Sequence, residues 1–150
     1  MATNILLLCA GNLCRSPMAE GLLRECLPAH ELFSAGLCAQ EGVPADPIAV
    51  RLMHELGIDI SAHRARRLST WMLHEADLVL TMDRAQQRYV QSRYPSAARK
   101  VQRIGEPDRI DIPDPYQCGD AAFRLSLGLI RQAVRSRFAQ IQPAFEMALH

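Results

Sequence analysis

Residues 5–17 read Ile-Leu-Leu-Leu-Cys-Ala-Gly-Asn-Leu-Cys-Arg-Ser-Pro, and this stretch decides the fold. The continuous apolar run at residues 5–8 is typical of a central parallel strand that is buried on both faces. Ser16-Pro17 then predicts the start of a helix, because proline is favoured at the first helical position. Apolar side chains at helical spacing continue this helix to Cys26. The stretch therefore predicts a strand, a short loop and a helix in direct succession.

The same alternation of strands and helices continues along the chain. Further strands are predicted at residues 31–34, 77–82 and 101–104, and further helices at residues 46–57, 84–94 and from residue 119 onwards. The last helix is predicted from a regular apolar stripe made of Phe123, Leu127, Ile130, Val134, Phe138 and Ile141. This order predicts a single α/β domain over residues 1–150, with a parallel sheet and helices on both of its faces.

Composition and charge exclude several classes of protein. About half of the 150 residues are apolar, which is enough for one domain to bury a core without disulfides or metals. The formal net charge is +1, without the clustered positive charge of a nucleic-acid-binding protein. No apolar run approaches the roughly 20 residues that span a bilayer, and the start lacks the basic segment of a secretory signal. We therefore expect a cytoplasmic protein without membrane insertion. Its one dense basic group, Arg64, Arg66 and Arg67, could help draw in an anionic substrate, but we interpret it as a solvated helix or loop face.

The cysteines predict neither a disulfide framework nor a metal site. Their number is odd and no Cys-x-x-Cys pair occurs among Cys9, Cys14, Cys26, Cys38 and Cys118. His54-Glu55 and His74-Glu75 each begin like a zinc-binding His-Glu-x-x-His helix. In both cases the second histidine is missing, because Ile58 and Leu78 occupy its position. Both segments are interpreted as ordinary helix residues, and no metal or cofactor is expected.

The loop from Cys9 to Arg15 has the spacing Cys-x5-Arg, which is weak evidence by itself. Chance places such a pair in roughly one of every two shuffled sequences of this composition. The context strengthens it, because a buried strand precedes the loop, Gly11 lets the backbone fold closely, and a helix start follows. Ligands of open α/β sheets bind beyond the carboxyl ends of the strands, which is where this loop begins.

The residue types in this loop suit the binding and cleavage of a phosphate ester. A loop that wraps over a helix N-terminus points several backbone N–H groups at one place and forms an anion site. The same field favours the thiolate form of Cys9, which is the nucleophilic form. The planar guanidinium of Arg15 can hold two phosphoryl oxygens at once, and Ser16 can donate a hydrogen bond to the thiolate.

Cleavage of a phosphate ester also needs an acid that protonates the leaving oxygen and then a base for the attacking water. On composition alone, Asp108, Asp111 and Asp114 compete for this role. Asp114 stands between Pro113 and Pro115, which would stiffen the loop and present the side chain. A turn aspartate beside proline is the ordinary alternative.

The segment Cys9-x-Gly11-Asn12-x-Cys14-Arg15-Ser16-Pro17 with Ala19-Glu20 closely resembles the signature loop of low-molecular-weight protein tyrosine phosphatases. Further motifs occur in the order that this family has them: Ser34-Ala35-Gly36, His63-x-Ala65-Arg66, Leu80-Thr81-Met82-Asp83 and Asp114-Pro115-Tyr116. The resemblance covers essentially the full length. It implies a four-stranded parallel sheet in the order 2-1-3-4, with the phosphate loop after the first strand. It also implies hydrolysis of phosphotyrosine and small aryl phosphates through a phosphocysteine intermediate.

The resemblance also implies roles for individual residues. Asp114 would be the acid, Leu13 and Tyr116 would wall the substrate pocket, and Asn12, Ser34 and His63 would brace the loop. Gln117 stands where many relatives have a second aromatic residue. Under oxidation, Cys9 would form a reversible disulfide with Cys14. Phosphate binding is expected from Ala10, Gly11, Asn12, Leu13, Cys14, Arg15 and Ser16.

The Ser34-Ala35-Gly36-Leu37 segment resembles the bacterial branch of the family. That branch implies a tyrosine-phosphorylated protein as partner, namely a membrane tyrosine autokinase, met through its cytoplasmic tail, that controls capsule or exopolysaccharide export. Arsenate reduction on the same fold is an alternative, but it needs two further cysteines after the third strand, and residues 83–100 contain none. A non-catalytic phosphotyrosine-binding or redox-sensing module would be expected to lose Asp114 or Arg15. A phosphocysteine carrier would not need Asp114.

Overall fold

The computed structural model describes residues 3–138, so Ile141 of the predicted terminal stripe lies outside the described residues. Within them the chain forms a parallel sheet surrounded by helices. The strands are β1 (Asn4–Cys9), β2 (Glu31–Gly36), β3 (Leu78–Thr81) and β4 (Val101–Arg103). The α-helices are α1 (Arg15–Cys26), α2 (Pro47–Glu55), α3 (Thr70–Glu75), α4 (Arg84–Arg93) and α5 (Asp120–Phe138). Two 3-10 helices occupy Pro95–Lys100 and Glu106–Asp108.

The four strands are parallel and lie in the order β2-β1-β3-β4, which confirms the predicted topology. The central strand β1 is buried on both faces, as its apolar run predicts. Ile5 and Leu7 belong to a core cluster with side chains of α1, α2 and α5, whereas Leu6 and Leu8 belong to a second cluster with side chains of α3 and α4. The alternation follows from the period of two along a strand. Helices therefore cover both faces of the sheet.

Helix α3 is the element that the spacing of apolar residues did not predict. It is only six residues long and buries Met72 and Leu73, so it is too short to show a helical period. His74-Glu75 ends this helix and His54-Glu55 ends α2, which confirms that both pairs lie in helices. The strand bounds differ from the predicted ones by one or two residues, as expected where strands pass into loops.

The outer edge of β2 is protected by two arginines. Arg66 donates from Nε to the carbonyl of Ser34 at 3.0 Å, and Arg24 donates to the carbonyl of Leu32 at 3.3 Å. Capping of exposed carbonyls prevents a free strand edge from pairing with another chain. The guanidinium of Arg66 also lies 5.8 Å and 5.9 Å from the ring centroids of Phe33 and Trp71. The interpretation of Arg66 as part of a solvated face is therefore wrong, although Arg64 and Arg67 are exposed.

The carboxyl ends of β1 and β2 meet closely at Gly36. A Cβ atom on this glycine would lie 2.7 Å from the carbonyl oxygen of Ala10 and 2.9 Å from the backbone nitrogen of Asn12. Only glycine therefore allows the end of β2 to pack against the loop that follows β1. No helix among residues 3–138 is long and apolar enough to cross a membrane.

Candidate active site

A cavity of about 280 Å³ lies at the carboxyl end of β1. Three segments of the chain form its walls: the loop between β1 and α1, the loop of residues 113–119 that precedes α5, and the segment of residues 37–46 that follows β2. The lining residues are Cys9, Ala10, Gly11, Leu13, Cys14, Arg15, Cys38, Gln40, Asp114 and Tyr116. The cavity lies at the sheet edge at which open α/β proteins bind their ligands.

A chain of hydrogen bonds leads from Cys9 to a carboxylate. The sulfur of Cys9 lies 2.9 Å from Oγ of Ser16, and Asn12 donates from Nδ2 to Oγ of Ser16 at 2.8 Å and to Oγ of Ser34 at 3.0 Å. Ser34 in turn donates its proton to Oε1 of Glu20 at 2.5 Å. Because the oxygen of Ser16 accepts from Asn12, its own proton remains for the sulfur of Cys9. The network therefore suits a thiolate at Cys9.

Asn12 is the centre of the loop's internal bracing. Its backbone has a φ of +57°, in the left-handed region that asparagine tolerates better than most residues. Its carbonyl oxygen lies 2.7 Å from Nε2 of His63, and its Oδ1 accepts the backbone N–H of Arg66 at 3.0 Å. The structure thus brings Asn12, Ser34 and His63 together. Asn12 and Ser16 are fully buried behind the loop and do not line the cavity, unlike the other predicted phosphate-binding residues.

Arg15 is held by the protein along one side of its guanidinium. Nη1 donates to the carbonyl of Ile112 at 2.8 Å and to Oδ2 of Asp83 at 3.2 Å. Nη2 lies 3.8 Å from Oδ2 of Asp114. The side chain is only 4% exposed, so its direction is fixed by packing as well as by these contacts. Because both of these hydrogen bonds use Nη1, we expect Nε and Nη2 to be the donors to two oxygens of a bound oxyanion.

Asp114 lies on an anchored loop, and its own side chain is exposed. Pro113 accepts a hydrogen bond from Oγ of Ser126 at 2.7 Å, and Oδ1 of Asp114 accepts the backbone N–H of Tyr116 at 3.1 Å. Tyr116 is 46% exposed and lines the cavity. Gln117 is exposed, has a φ of +59°, and lies outside the lining. Of the three aspartates that competed on composition, Asp114 is the one that lines the cavity.

Asp111 instead secures the start of the same loop. It accepts a hydrogen bond from the buried Arg103 at 2.8 Å and another from the backbone N–H of Arg84 at 3.1 Å. The hydrogen bond from Arg103, followed by that from Arg84, holds the pKa of the Asp111 carboxyl below its ordinary value. Asp111 is therefore a structural carboxylate next to the catalytic segment.

Replacing Asp111 with asparagine removes the ion pair with Arg103 and is expected to lower the free energy of unfolding near neutral pH. The expected loss is only roughly 1 kcal/mol, because the carboxylate is half exposed and solvent screens its charge. The folded-state pKa lies below the unfolded value of about 3.9. The stabilisation is therefore complete above that value and is lost as the pH falls through the folded pKa. Denaturant unfolding at a series of pH values should show the difference between wild type and variant closing below about pH 4. A difference that stays constant would contradict the pairing.

Cys14 is a buried thiol in the same loop as Cys9. It is 4% exposed, and burial, followed by the nearby charges of Asp46, Cys9 and Asp114, raises its pKa strongly. A thiol in this state attacks slowly, because the thiolate is the reactive form. The Cys9–Cys14 disulfide stays a prediction.

Sequence reasoning assigned no role to four residues that the structure places at the site. Asp83 pairs with Arg15, Glu20 ends the hydrogen-bond chain, and Cys38 and Gln40 form the third wall of the cavity. Asp83 follows the end of β3, the strand beside β1, and this position was the available signal, since the carboxyl ends of parallel neighbours meet. Cys38 and Gln40 gave no comparable signal, because their side-chain types are common in loops.

The site combines a thiol at the end of a buried strand, a loop that opens a helix, a fixed guanidinium and an exposed carboxylate. An anion placed in the cavity would meet the backbone amides of the loop, Arg15 and the sulfur of Cys9. On this parallel sheet, that combination defines the class of cysteine-dependent phosphatases with a Cys-x5-Arg loop.

Comparison with known proteins identifies the family. The sequence model of the low molecular weight phosphotyrosine protein phosphatases matches residues 4–146. The chain belongs to this family and is a protein-tyrosine-phosphatase. It is 48% identical over 134 residues to the probable low molecular weight protein-tyrosine-phosphatase EpsP of Ralstonia solanacearum, a match that covers 89% of this chain and 92% of that protein.

Solved structures of similar proteins have the same fold. Vibrio vulnificus Wzb in complex with benzylphosphonate superposes with a TM-score of 0.89 at 30% identity, covering 94% of this chain and 100% of that one. The YwlE arginine phosphatase from Geobacillus stearothermophilus superposes with a TM-score of 0.87 at 30% identity, covering 97% of this chain and 96% of that one.

Proposed function

We propose that this protein hydrolyses phosphotyrosine in a tyrosine-phosphorylated protein through a covalent phosphocysteine on Cys9. The observation that carries the proposal is the common cavity of Cys9, Arg15 and Asp114, in which the proton of Ser16 remains for the sulfur. The positions of these groups match the needs of a displacement at phosphorus, in which positioning and charge stabilisation provide most of the catalysis.

In the first step, the sulfur of Cys9 attacks phosphorus while the bond to the phenolic oxygen breaks. Asp114 donates its proton to that oxygen, so the leaving group departs as a neutral phenol. The loop amides and the free edge of Arg15 bind the three equatorial oxygens as charge spreads over them. The exposed position of Asp114 opposite the loop suits a group that must reach the leaving side.

In the second step, Asp114 has become a carboxylate and accepts a proton from a water molecule. The water oxygen attacks phosphorus, the sulfur–phosphorus bond breaks, and inorganic phosphate forms. Cys9 leaves as a thiolate, which the hydroxyl of Ser16 stabilises by donating a hydrogen bond. Because Asn12 donates to Ser16, the hydroxyl of Ser16 is directed to the sulfur of Cys9 in both steps.

An aromatic phosphoester fits the walls of the cavity. Leu13 and Tyr116 both line the cavity and would offer an apolar and an aromatic surface to the substrate ring. The benzylphosphonate complex of the Vibrio relative supports an aromatic ligand, whereas the Geobacillus relative is an arginine phosphatase. The side chain of phosphotyrosine is long enough to reach Cys9, so we place tyrosine first among the substrates.

Replacing Asp114 with alanine is expected to lower kcat by roughly 10²-fold to 10⁴-fold on phosphotyrosine peptides, the usual contribution of general acid catalysis. The loss should be much smaller on aryl phosphates with good leaving groups, because these need little protonation. Steady-state kinetics on a series of substituted phenyl phosphates measures the effect, with Asp108→Ala as the matched control outside the cavity. An equal loss along the series would contradict the role of Asp114 as the acid.

The partner proposed is a bacterial tyrosine autokinase of capsule or exopolysaccharide export, recognised through its phosphorylated cytoplasmic tail. The likeness to the bacterial branch supports it. Cys9→Ser protein used as a bait in lysate should capture this kinase and release it on addition of phosphate.

Other outcomes would contradict the proposed substrate or the proposed reaction. Hydrolysis of phosphoarginine in preference to phosphotyrosine would overturn the proposal that phosphotyrosine is the substrate. Thiol-dependent arsenate reduction without phosphatase activity, or phosphopeptide binding without turnover, would overturn the reaction.

A further inference from the structure

Three of the five cysteines line the catalytic cavity, and they differ in access. Cys9 and Cys14 are 3% and 4% exposed, whereas Cys38 is exposed at the wall that follows β2. The thiol of Cys38 lies 3.4 Å from the carbonyl oxygen of Ala10, and its backbone N–H donates to the same oxygen at 2.9 Å. Cys38 is therefore fixed directly beside the residue that follows the nucleophile.

The same cavity attracts anions. The buried Arg15 lines the cavity, and its charge and the backbone amides of the loop together give the cavity a positive field. An electropositive and accessible surrounding is what makes a cysteine reactive. A small disulfide that carries carboxylates would thus meet an accessible thiol and an anion-binding group within one cavity of about 280 Å³.

We propose that Cys38 is a site of reversible S-thiolation by a low-molecular-weight disulfide bearing carboxylates, of which glutathione disulfide is the model. The Cys38 thiolate attacks one sulfur of the disulfide, and the disulfide bond breaks. A bond forms between Sγ of Cys38 and that sulfur, while the other half leaves as a thiolate and takes up the proton that Cys38 lost. Oxidation of Cys38 is balanced by reduction of the departing half.

The consequence is a closed cavity. An adduct on Cys38 places a peptide-sized anion between the wall of residues 37–46 and Tyr116, with its carboxylates able to bind at Arg15. Cys9 remains a free thiol underneath it. The modification therefore inactivates the enzyme without oxidising the nucleophile Cys9. A reducing thiol removes the adduct by the reverse exchange and restores activity. This consequence rests on the proposed function, because it concerns the same cavity.

The other cysteines provide the contrast. Cys118 is also exposed, and its thiol donates to the carbonyl of Tyr116 at 3.3 Å, much as the thiol of Cys38 donates to that of Ala10 at 3.4 Å. Unlike Cys38, it lies outside the cavity lining. An adduct on Cys118 leaves the cavity open. Cys118 is therefore the matched control for Cys38, with similar access to solvent and without the nearby anion site.

The test is to incubate wild type, Cys38→Ser and Cys118→Ser with glutathione disulfide and to map adducts by peptide mass. Aryl phosphatase activity is expressed relative to each protein's own untreated value. In wild type and Cys118→Ser, we expect an adduct on Cys38, loss of activity in proportion to the modified fraction, and recovery with dithiothreitol. Cys38→Ser should keep most of its untreated activity under the same treatment.

Three outcomes would overturn the inference. One is loss of activity in Cys38→Ser at the wild-type rate, with the adduct on Cys9. The second is an adduct on Cys38 that leaves activity intact, and the third is modification of Cys118 without modification of Cys38. Cys9→Ser protein should also take up the adduct on Cys38, since this readout needs no catalysis. An untreated wild type without phosphatase activity would instead refute the proposed function. The adduct map would still show whether Cys38 is modified.

Discussion

Replacing Cys9 with serine is expected to lower kcat on aryl phosphates by about 10⁴-fold or more, as loss of a covalent nucleophile does in other enzymes. A serine hydroxyl in this position keeps its proton, because its ordinary acidity is far lower than that of a thiol. The C–O bond of serine is also shorter than the C–S bond of cysteine, so the oxygen extends less far toward the phosphorus atom. The loop amides and Arg15 are unchanged, so the variant should still bind a phosphotyrosine peptide.

Two measurements separate loss of chemistry from loss of binding. Stopped or discontinuous assays give kcat, and titration calorimetry with a phosphotyrosine peptide gives the dissociation constant. Cys118→Ser is the matched control, since it removes a thiol that lies outside the cavity lining. Retention of substantial activity in Cys9→Ser would refute the phosphocysteine mechanism, whatever the binding result.

The fold was largely readable from the sequence because its decisive elements are local. The run at residues 5–8 predicts a strand buried on both faces, and the structure places Leu6 and Leu7 in opposite core layers. Ser16-Pro17 predicts a helix, and α1 begins at Arg15. Helix α3 was missed for a related reason, since six residues give too little of a period to be distinguished from a loop.

The catalytic loop was readable for the same reason, because Cys9 and Arg15 are separated by only five residues. The bracing contacts are not local: Asn12 contacts Ser34 across 22 positions and His63 across 51. Only the resemblance to a family brought these residues together before the structure was known. Physical reasoning from one sequence could not do so, because the contacts depend on how parallel strand ends converge.

The pairing of Arg15 with Asp83 spans 68 positions and was absent from the sequence-based view of the site. This pairing adds a second requirement for the side chain at position 15. Nη1 of the guanidinium donates to Asp83 and to the carbonyl of Ile112, so Nε and Nη2 are the atoms we expect to bind phosphate. Any substitute must satisfy the protein contacts and present two donors to phosphate at the same time.

Replacing Arg15 with lysine is therefore expected to lower kcat/KM on aryl phosphates by roughly 10³-fold, near the lower end of what an arginine contributes to phosphoryl transfer. The charge is kept, but lysine donates from a single nitrogen, so it cannot contact Asp83 and hold two phosphoryl oxygens at the same time. Arg15→Ala should lose more activity, because it also removes the charge. For substrates with good leaving groups, both losses should exceed that of Asp114→Ala, since such substrates need the oxyanion clamp in full and little protonation.

Folding must be controlled in this experiment, because Arg15 is buried and its removal leaves Asp83 and the Ile112 carbonyl with fewer partners. Asp83→Asn is the matched control: it weakens the same pairing from the other side and keeps the guanidinium. Thermal unfolding of each variant shows whether the fold is retained. If Arg15→Lys is folded and fully active, a positive charge is enough and the fork geometry is irrelevant. A folded Arg15→Lys that loses activity while Asp83→Asn keeps most of it places the requirement on the edge of the guanidinium that faces the substrate.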